Sequence, residues 1–188
     1  YPTSSLWLGN ETVYQDIVTL TQELLKQQRD FDYLNDDAFE EALKIGPGYF
    51  ENKSGQRYYT LIIPSAEALT TTAWQKIEEF KQKGGKVLFW GRKPTMLVDK
   101  TFTAPIPVPD MPNAYYEPSL TWSTKVNAAM PIAEMYIPSS SPKDFIRYTR
   151  REMTDGDLYF LFNEGQKEAS FTALFDKIGI VQEWDANT

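Results

Sequence analysis

The chain has 188 residues, 41% hydrophobic and 14% aromatic, enough apolar surface for a packed core. Its net charge of −7 comes without a basic run, which argues against a nucleic-acid surface, and no stretch approaches the roughly 18 consecutive apolar residues of a membrane span. It contains no Cys and no His, which excludes Cys-His and Ser-His-Asp nucleophilic sites, thiolate or imidazole zinc sites and disulfides, and leaves the redox compartment unassigned.

Residues 1–7 read as the end of a strand running into a loop, without signal-peptide character, as at the edge of an excised piece. Asn10 is placed to cap a helix over residues 11–28, with Val13, Ile17, Leu20 and Leu24 as its buried stripe and Val18 and Leu25 widening it. Residues 31–34 alternate like a short strand, the second of a sheet. Asp36 or Asp37 caps a brief helix over residues 38–43 that ends at Gly46-Pro47-Gly48. Tyr49-Phe50 and Arg57-Tyr58 flank the turn-rich residues 52–55, a hairpin signal.

The organising stretch follows. Residues 59–64 and 86–91 are two continuous apolar strands, and residues 72–83 between them form an amphipathic helix. Strands with no polar face belong to a parallel sheet covered on both sides, so this is a βαβ unit. Thr72 with Gln75 fits a capping box, Gly84-Gly85 ends the helix, and Ala73, Trp74, Ile77 and Phe80 make the stripe that lies on the sheet. From Pro94 to Pro142 prolines interrupt the chain, so only short elements are expected, forming a cover. Residues 144–151 and 157–162 then face each other across Thr154-Asp155-Gly156 as a β-hairpin, and residues 169–174 and 180–184 suggest two more strands.

Two constellations could carry chemistry. The acidic pairs Asp36/Asp37, Glu40/Glu41, Glu78/Glu79 and Asp155/Asp157 are assigned to caps, a solvated helix face and a turn instead of to paired catalytic carboxylates. The carboxyl edge of the sheet is the second, because open α/β folds bind ligands where the loops diverge. It would carry Ser4, Ser5 and Trp7 after the first strand, Ser65 and Glu67 after the next, and Trp90 and Arg92 after the last. Trp beside Arg and Ser suits a sugar or a carboxylate, and the competing reading has Trp7 and Trp90 packing the proline-rich segment onto the sheet. The ligand-binding candidates are therefore Trp7, Ser65, Glu67, Trp90 and Arg92. Gly84-Gly85-Lys86 precedes a strand and is not a phosphate loop, and Asn10-Glu11-Thr12 and Asn52-Lys53-Ser54 are glycosylation sequons of a kind common by chance. Of the three arginines Arg147, Arg150 and Arg151, the first and last share a strand face, and nearby acids are their expected partners.

Taken in order, several patches resemble a known arrangement. These are Tyr1-Pro2 with Ser5, Leu6 and Trp7; the long helix; Phe31-Asp32-Tyr33-Leu34-Asn35-Asp36-Asp37-Ala38-Phe39; Tyr59-Thr60-Leu61-Ile62-Ile63-Pro64; Gly84-Gly85-Lys86-Val87-Leu88-Phe89-Trp90-Gly91; Arg150-Arg151-Glu152-Met153-Thr154-Asp155-Gly156-Asp157-Leu158-Tyr159-Phe160-Leu161-Phe162-Asn163; and Glu183-Trp184-Asp185 followed by Asn187-Thr188. The chain resembles the domain after the catalytic barrel of large glycoside hydrolases, and is most similar to bacterial α-L-rhamnosidases of the inverting, calcium-assisted kind. Where that family usually has a His-Arg pair before the Asp-Gly turn, this chain has Thr149-Arg150-Arg151.

The resemblance implies a three-layer, flavodoxin-like α/β fold, similar to class I glutamine amidotransferases in fold only, since their Cys and His are absent. It implies a flavodoxin-like domain over residues 1–142, with the proline-rich segment 94–142 as cover, and a β-rich part over residues 143–188 belonging to it or to the next domain. The family's catalytic carboxylates lie in the barrel, so no catalytic residue, metal or cofactor is assigned here. The implied role is an accessory domain supporting the catalytic barrel of an exported, periplasmic or extracellular enzyme. The alternative is an independent saccharide or small-ligand module working through the carboxyl edge, and a third is a carboxylate-only hydrolase. Neither oligomeric state nor parent substrate follows from the sequence.

Overall fold

A computed structural model describes Ser5 and residues 11–41, 43–99, 101, 103–138 and 143–184. It divides into two compact units, one of Tyr1–Leu24 with Phe31–Pro131, the other of Leu25–Asp30 with Ile132–Thr188. No described helix is long and apolar enough to cross a membrane.

The helices are α1 (Glu11–Lys26), α2 (Asp36–Glu41), α3 (Thr71–Gln82) and α4 (Thr124–Ala129). The first unit is built on a three-stranded parallel sheet, in which β6 (Lys86–Trp90) lies between β4 (Thr60–Pro64) and β9 (Tyr115–Glu117). Thr60 pairs with Lys86 and Pro64 with Trp90, so the two apolar runs read from the sequence are adjacent and in phase. Successive residues of a strand point to opposite faces. Val87 and Phe89 accordingly join Ile63, Trp74, Ile77 and Phe80 in one core, whereas Leu88 and Trp90 join Leu20, Leu24, Val126 and Ala129 in another. Both faces are thus covered, which is why neither strand carries a polar face.

α3 buries Ala73, Trp74, Ile77 and Phe80, and α1 buries Val13, Ile17, Leu20 and Leu24, the stripes expected from a 3.6-residue period. The cap of α3 differs from expectation: Thr70, not Thr72, holds the extended conformation before the helix, and its Oγ1 accepts from the Ala73 N–H at 3.0 Å. Likewise Asn35, not an aspartate, accepts from the Ala38 N–H at 2.9 Å ahead of α2. Residues 31–34 form no strand. Phe31 instead packs against the second core and sets its ring edge-on to Tyr33 at 5.5 Å, and Tyr33 hydrogen-bonds Thr21.

The hairpin before β4 forms as anticipated: β2 (Tyr49–Glu51) pairs antiparallel with β3 (Arg57–Tyr58), and β1 (Lys44–Gly46) adds to its other side. A further small sheet joins β5 (Ala68–Thr70), β7 (Met96–Val98) and β8 (Ile106–Pro107). The proline-rich stretch thus supplies β7, β8, β9 and α4 and, further on, β10 (Met135–Tyr136), all short, as the prolines demand.

The second unit contains β10 (Met135–Tyr136), β11 (Ile146–Met153), β12 (Gly156–Asn163) and β13 (Leu174–Phe175). β11 and β12 form the expected hairpin, with Met153 opposite Gly156, so the tight turn is Thr154-Asp155 and Gly156 already belongs to the strand. Tyr148, Tyr159 and Leu161 pack on Met135, Ile137 and Ile146. Burial, reinforced by Glu134 and Asp30, pushes the Tyr148 hydroxyl up to about 12. Of the two further strands suggested by the sequence, residues 169–174 contribute only Leu174, the first residue of β13, which pairs with β10, and residues 180–184 carry none.

Candidate functional site

The carboxyl ends of β4, β6 and β9 meet at one edge, where three loops interlock. Ser65 follows β4, fully buried, with a positive φ of 23°, and its N–H donates to the Trp90 carbonyl at 2.7 Å. Its Oγ accepts from the Arg92 N–H at 3.1 Å. Gly91, between Trp90 and Arg92, has φ 79° and donates its N–H to the Glu117 carbonyl at 2.8 Å. Ser5 closes the other side: its Oγ accepts from the N–H groups of Glu67 and Ala68 at 2.8 and 3.0 Å and donates to the Ala68 carbonyl at 3.0 Å. The Glu67 carbonyl takes the Thr95 N–H at 2.9 Å.

Ser65, Glu67 and Arg92 therefore share this edge, as the strand ends predicted. The Arg92 guanidinium is exposed and donates to Thr12 Oγ1 at 2.6 Å. Trp90 has no exposed surface, and its indole N–H has no acceptor among the described residues. Trp7 lies outside the described residues.

Glu117, unmarked by sequence reasoning, is the buried carboxylate of this edge, 4% exposed. Its Oε1 accepts from the Ser119 N–H at 3.0 Å and from the Ser119 hydroxyl. Hydrogen bonds from Ser119 and then Ser123 hold its carboxyl below the usual carboxylate range. The available signal was the Glu-Pro-Ser sequence, whose serine two residues on can return to the acid. A carboxyl group with a depressed folded value adds stability that is present above its unfolded value and lost as pH falls through the folded one. Glu117→Gln is therefore expected to cost about 1–2 kcal/mol at pH 7, a difference that shrinks below about pH 4.5 in urea unfolding curves.

The chemistry open to this region is limited. A shallow pocket of about 210 Å³ lies beside the edge with Trp74 and Phe89 among its walls, and it carries one carboxylate, Asp110, and one cation, Lys93. The Lys93 ammonium stands 4.9 Å from the Tyr116 ring and 5.7 Å from that of Phe89. Among the described residues no three Asp or Glu side chains are grouped to hold a metal ion. Other acids are engaged elsewhere: Glu79 pairs with Lys83 at 2.6 Å, and Asp157, outside the turn, receives Arg150 Nη2 at 2.6 Å. Arg150 also reaches Glu134 at 2.7 Å and Arg147 reaches Glu164 at 3.0 Å, the acidic partners expected for that cluster.

A family model described as alpha-L-rhamnosidase matches residues 5–188. The rhamnosidase from Novosphingobium sp. PP1Y superposes with a TM-score of 0.54 at 17% sequence identity over 78% of this chain, and the chain spans 15% of that protein's length. No curated protein matches the chain.

Proposed function

Because the chain belongs to the alpha-L-rhamnosidase family, matched over residues 5–188, we propose that it is a non-catalytic structural part of a glycoside hydrolase, supporting a catalytic barrel that lies outside it. The observation that carries this reading is chemical. Glycoside hydrolysis generally needs two carboxyl groups set across one cleft. The pocket beside the sheet edge presents one. The edge itself spends its hydroxyls and amides on bonds within the chain, through Ser5, Ser65 and Gly91. A chain that spans 15% of a rhamnosidase with the same fold leaves room for the reacting groups elsewhere.

The finer architecture belongs to the same proposal. A parallel sheet with a core on each face, served by α3 on one side and by α1 and α4 on the other, supports a three-layer, flavodoxin-like domain over residues 1–142 under a proline-rich cover. Residues 143–188 are a β-rich part of that domain or the start of the next, and they fall in the second compact unit. In this reading the domain contributes rigidity and surface, and the parent enzyme acts on rhamnosides.

The test is an assay of the purified chain with 4-nitrophenyl α-L-rhamnopyranoside. No release of nitrophenol above buffer is expected at any pH between 4 and 9, about the range in which carboxylate pairs work as acid and base. Turnover that disappears in Asp110→Asn or Glu117→Gln would overturn the accessory role.

A further inference from the structure

The hairpin of the second unit has one face packed in the unit's core and one open over most of its length, on which Arg147, opposite Phe162, is already engaged by Glu164 at 3.0 Å. Along β12, Tyr159 and Leu161 point into the unit's core, so Leu158, Phe160 and Phe162 point out, at 41%, 54% and 42% exposure. Met153, at the turn, is 56% exposed, and the Phe160 and Phe162 rings lie 5.9 Å apart. The pairing sets Arg151 opposite Leu158 on this face, exposed and without an ion pair among the described residues. Large apolar side chains gathered on one face of a strand mark an interaction surface, whereas scattered ones do not. Phe, Met and Arg are also the residue types enriched in interfaces.

Resting on the accessory-domain reading, we propose that this face docks against another part of the same polypeptide, an apolar surface that sets a carboxylate opposite Arg151. Two observations select that occupant. The chain spans 15% of the rhamnosidase it superposes on, so a tethered cover meets the face at high effective concentration. A second copy, by contrast, carries the same net charge of −7 and must surrender its translational freedom. Arg151 needs a negative partner, and its apolar surroundings, once covered, would make an unpaired guanidinium costly.

Hydroxyl-radical footprinting tests this on the 188-residue chain and on the complete natural polypeptide, with light scattering of both. The expected result is a monomeric isolated chain in which Phe160 and Phe162 oxidise freely, and rates about fivefold lower in the complete polypeptide, as for side chains in an interface core. Arg151→Glu in the complete polypeptide should restore most of that labelling, through repulsion from the facing carboxylate. Equal rates in the two proteins overturn the proposal, as does protection of the isolated chain by dimerisation, or a natural polypeptide no longer than this chain. Rhamnoside turnover by the isolated chain would instead defeat the accessory reading and leave the footprint to be judged by itself.

Discussion

Trp90→Ala is expected to destabilise the first unit by about 3–5 kcal/mol, the range for truncating a large aromatic in a core. Trp90 is the last residue of the central strand and has no exposed surface. It fills the second core between Leu20 and Leu24 of α1 and Val126 and Ala129 of α4, so its loss opens a cavity that two helices and a sheet would have to close together. Those elements are also tied by hydrogen bonds that oppose collapse: Lys86 Nζ donates to the Ala128 carbonyl at 3.0 Å and Thr60 Oγ1 to the Ala129 carbonyl at 2.6 Å. Since whole domains are stable by only about 5–15 kcal/mol, the variant should sit close to unfolding at 25 °C.

A second substitution at the same site separates volume from polarity. The Trp90 indole N–H is buried without an acceptor among the described residues, an arrangement that costs about 1–3 kcal/mol. Trp90→Phe removes that donor along with part of the ring, so its net cost is expected to be less than half that of the alanine variant. Urea unfolding followed by far-ultraviolet circular dichroism measures both, with an unchanged dependence on denaturant as evidence that the same unit unfolds. A phenylalanine variant as unstable as the alanine one would mean that the indole nitrogen is satisfied, for instance by a buried water.

The contrast between what the sequence disclosed and what it hid has a simple physical basis. β4 and β6 were legible as continuous apolar runs, and the stripes of α1 and α3 because burial recurs with the helical period at four positions in each. β9 was not, because Tyr115-Tyr116-Glu117 is three residues long, lies among prolines and is held as a strand by its pairing with Leu88, Phe89 and Trp90. Missing β9 meant missing Glu117, since without the strand end the Glu-Pro-Ser sequence reads as an ordinary exposed turn. The caps failed for a related reason. Thr70 and Thr72 are equivalent in sequence, and the choice between them is made by the pairing of β5 with β7, a tertiary contact. Ser65, Glu67 and Arg92 were placed at one edge correctly because strand polarity fixes which loops converge. Their engagement with Ser5, Trp90 and Thr12 needed coordinates.

That engagement gives the second large effect, expected for Gly91→Ala. With φ at 79°, a residue carrying a Cβ is strained by about 1–2 kcal/mol before any contact is counted. The added Cβ would also stand 2.1 Å from Ser65 Oγ and 2.9 Å from Leu120 Cδ2. Ser65 is poorly placed to retreat, being buried, itself at positive φ, and bound through Oγ to the Arg92 N–H. Strain and overpacking together should cost about 2–4 kcal/mol. Ser65→Gly tests the cause: it removes the atom at 2.1 Å and suits the positive φ, so Gly91→Ala in that background should cost about 1–2 kcal/mol, the φ share alone. Coupling between the two positions in a double-mutant cycle would show that the carboxyl edge is a locked corner, as a scaffold requires. Gly91→Ala costing under about 1 kcal/mol in the wild-type background would mean that the β4 and β6 loops part easily. An edge that parts so readily could admit a saccharide to Ser65, Glu67 and Arg92, and the binding-module reading would then displace the accessory one.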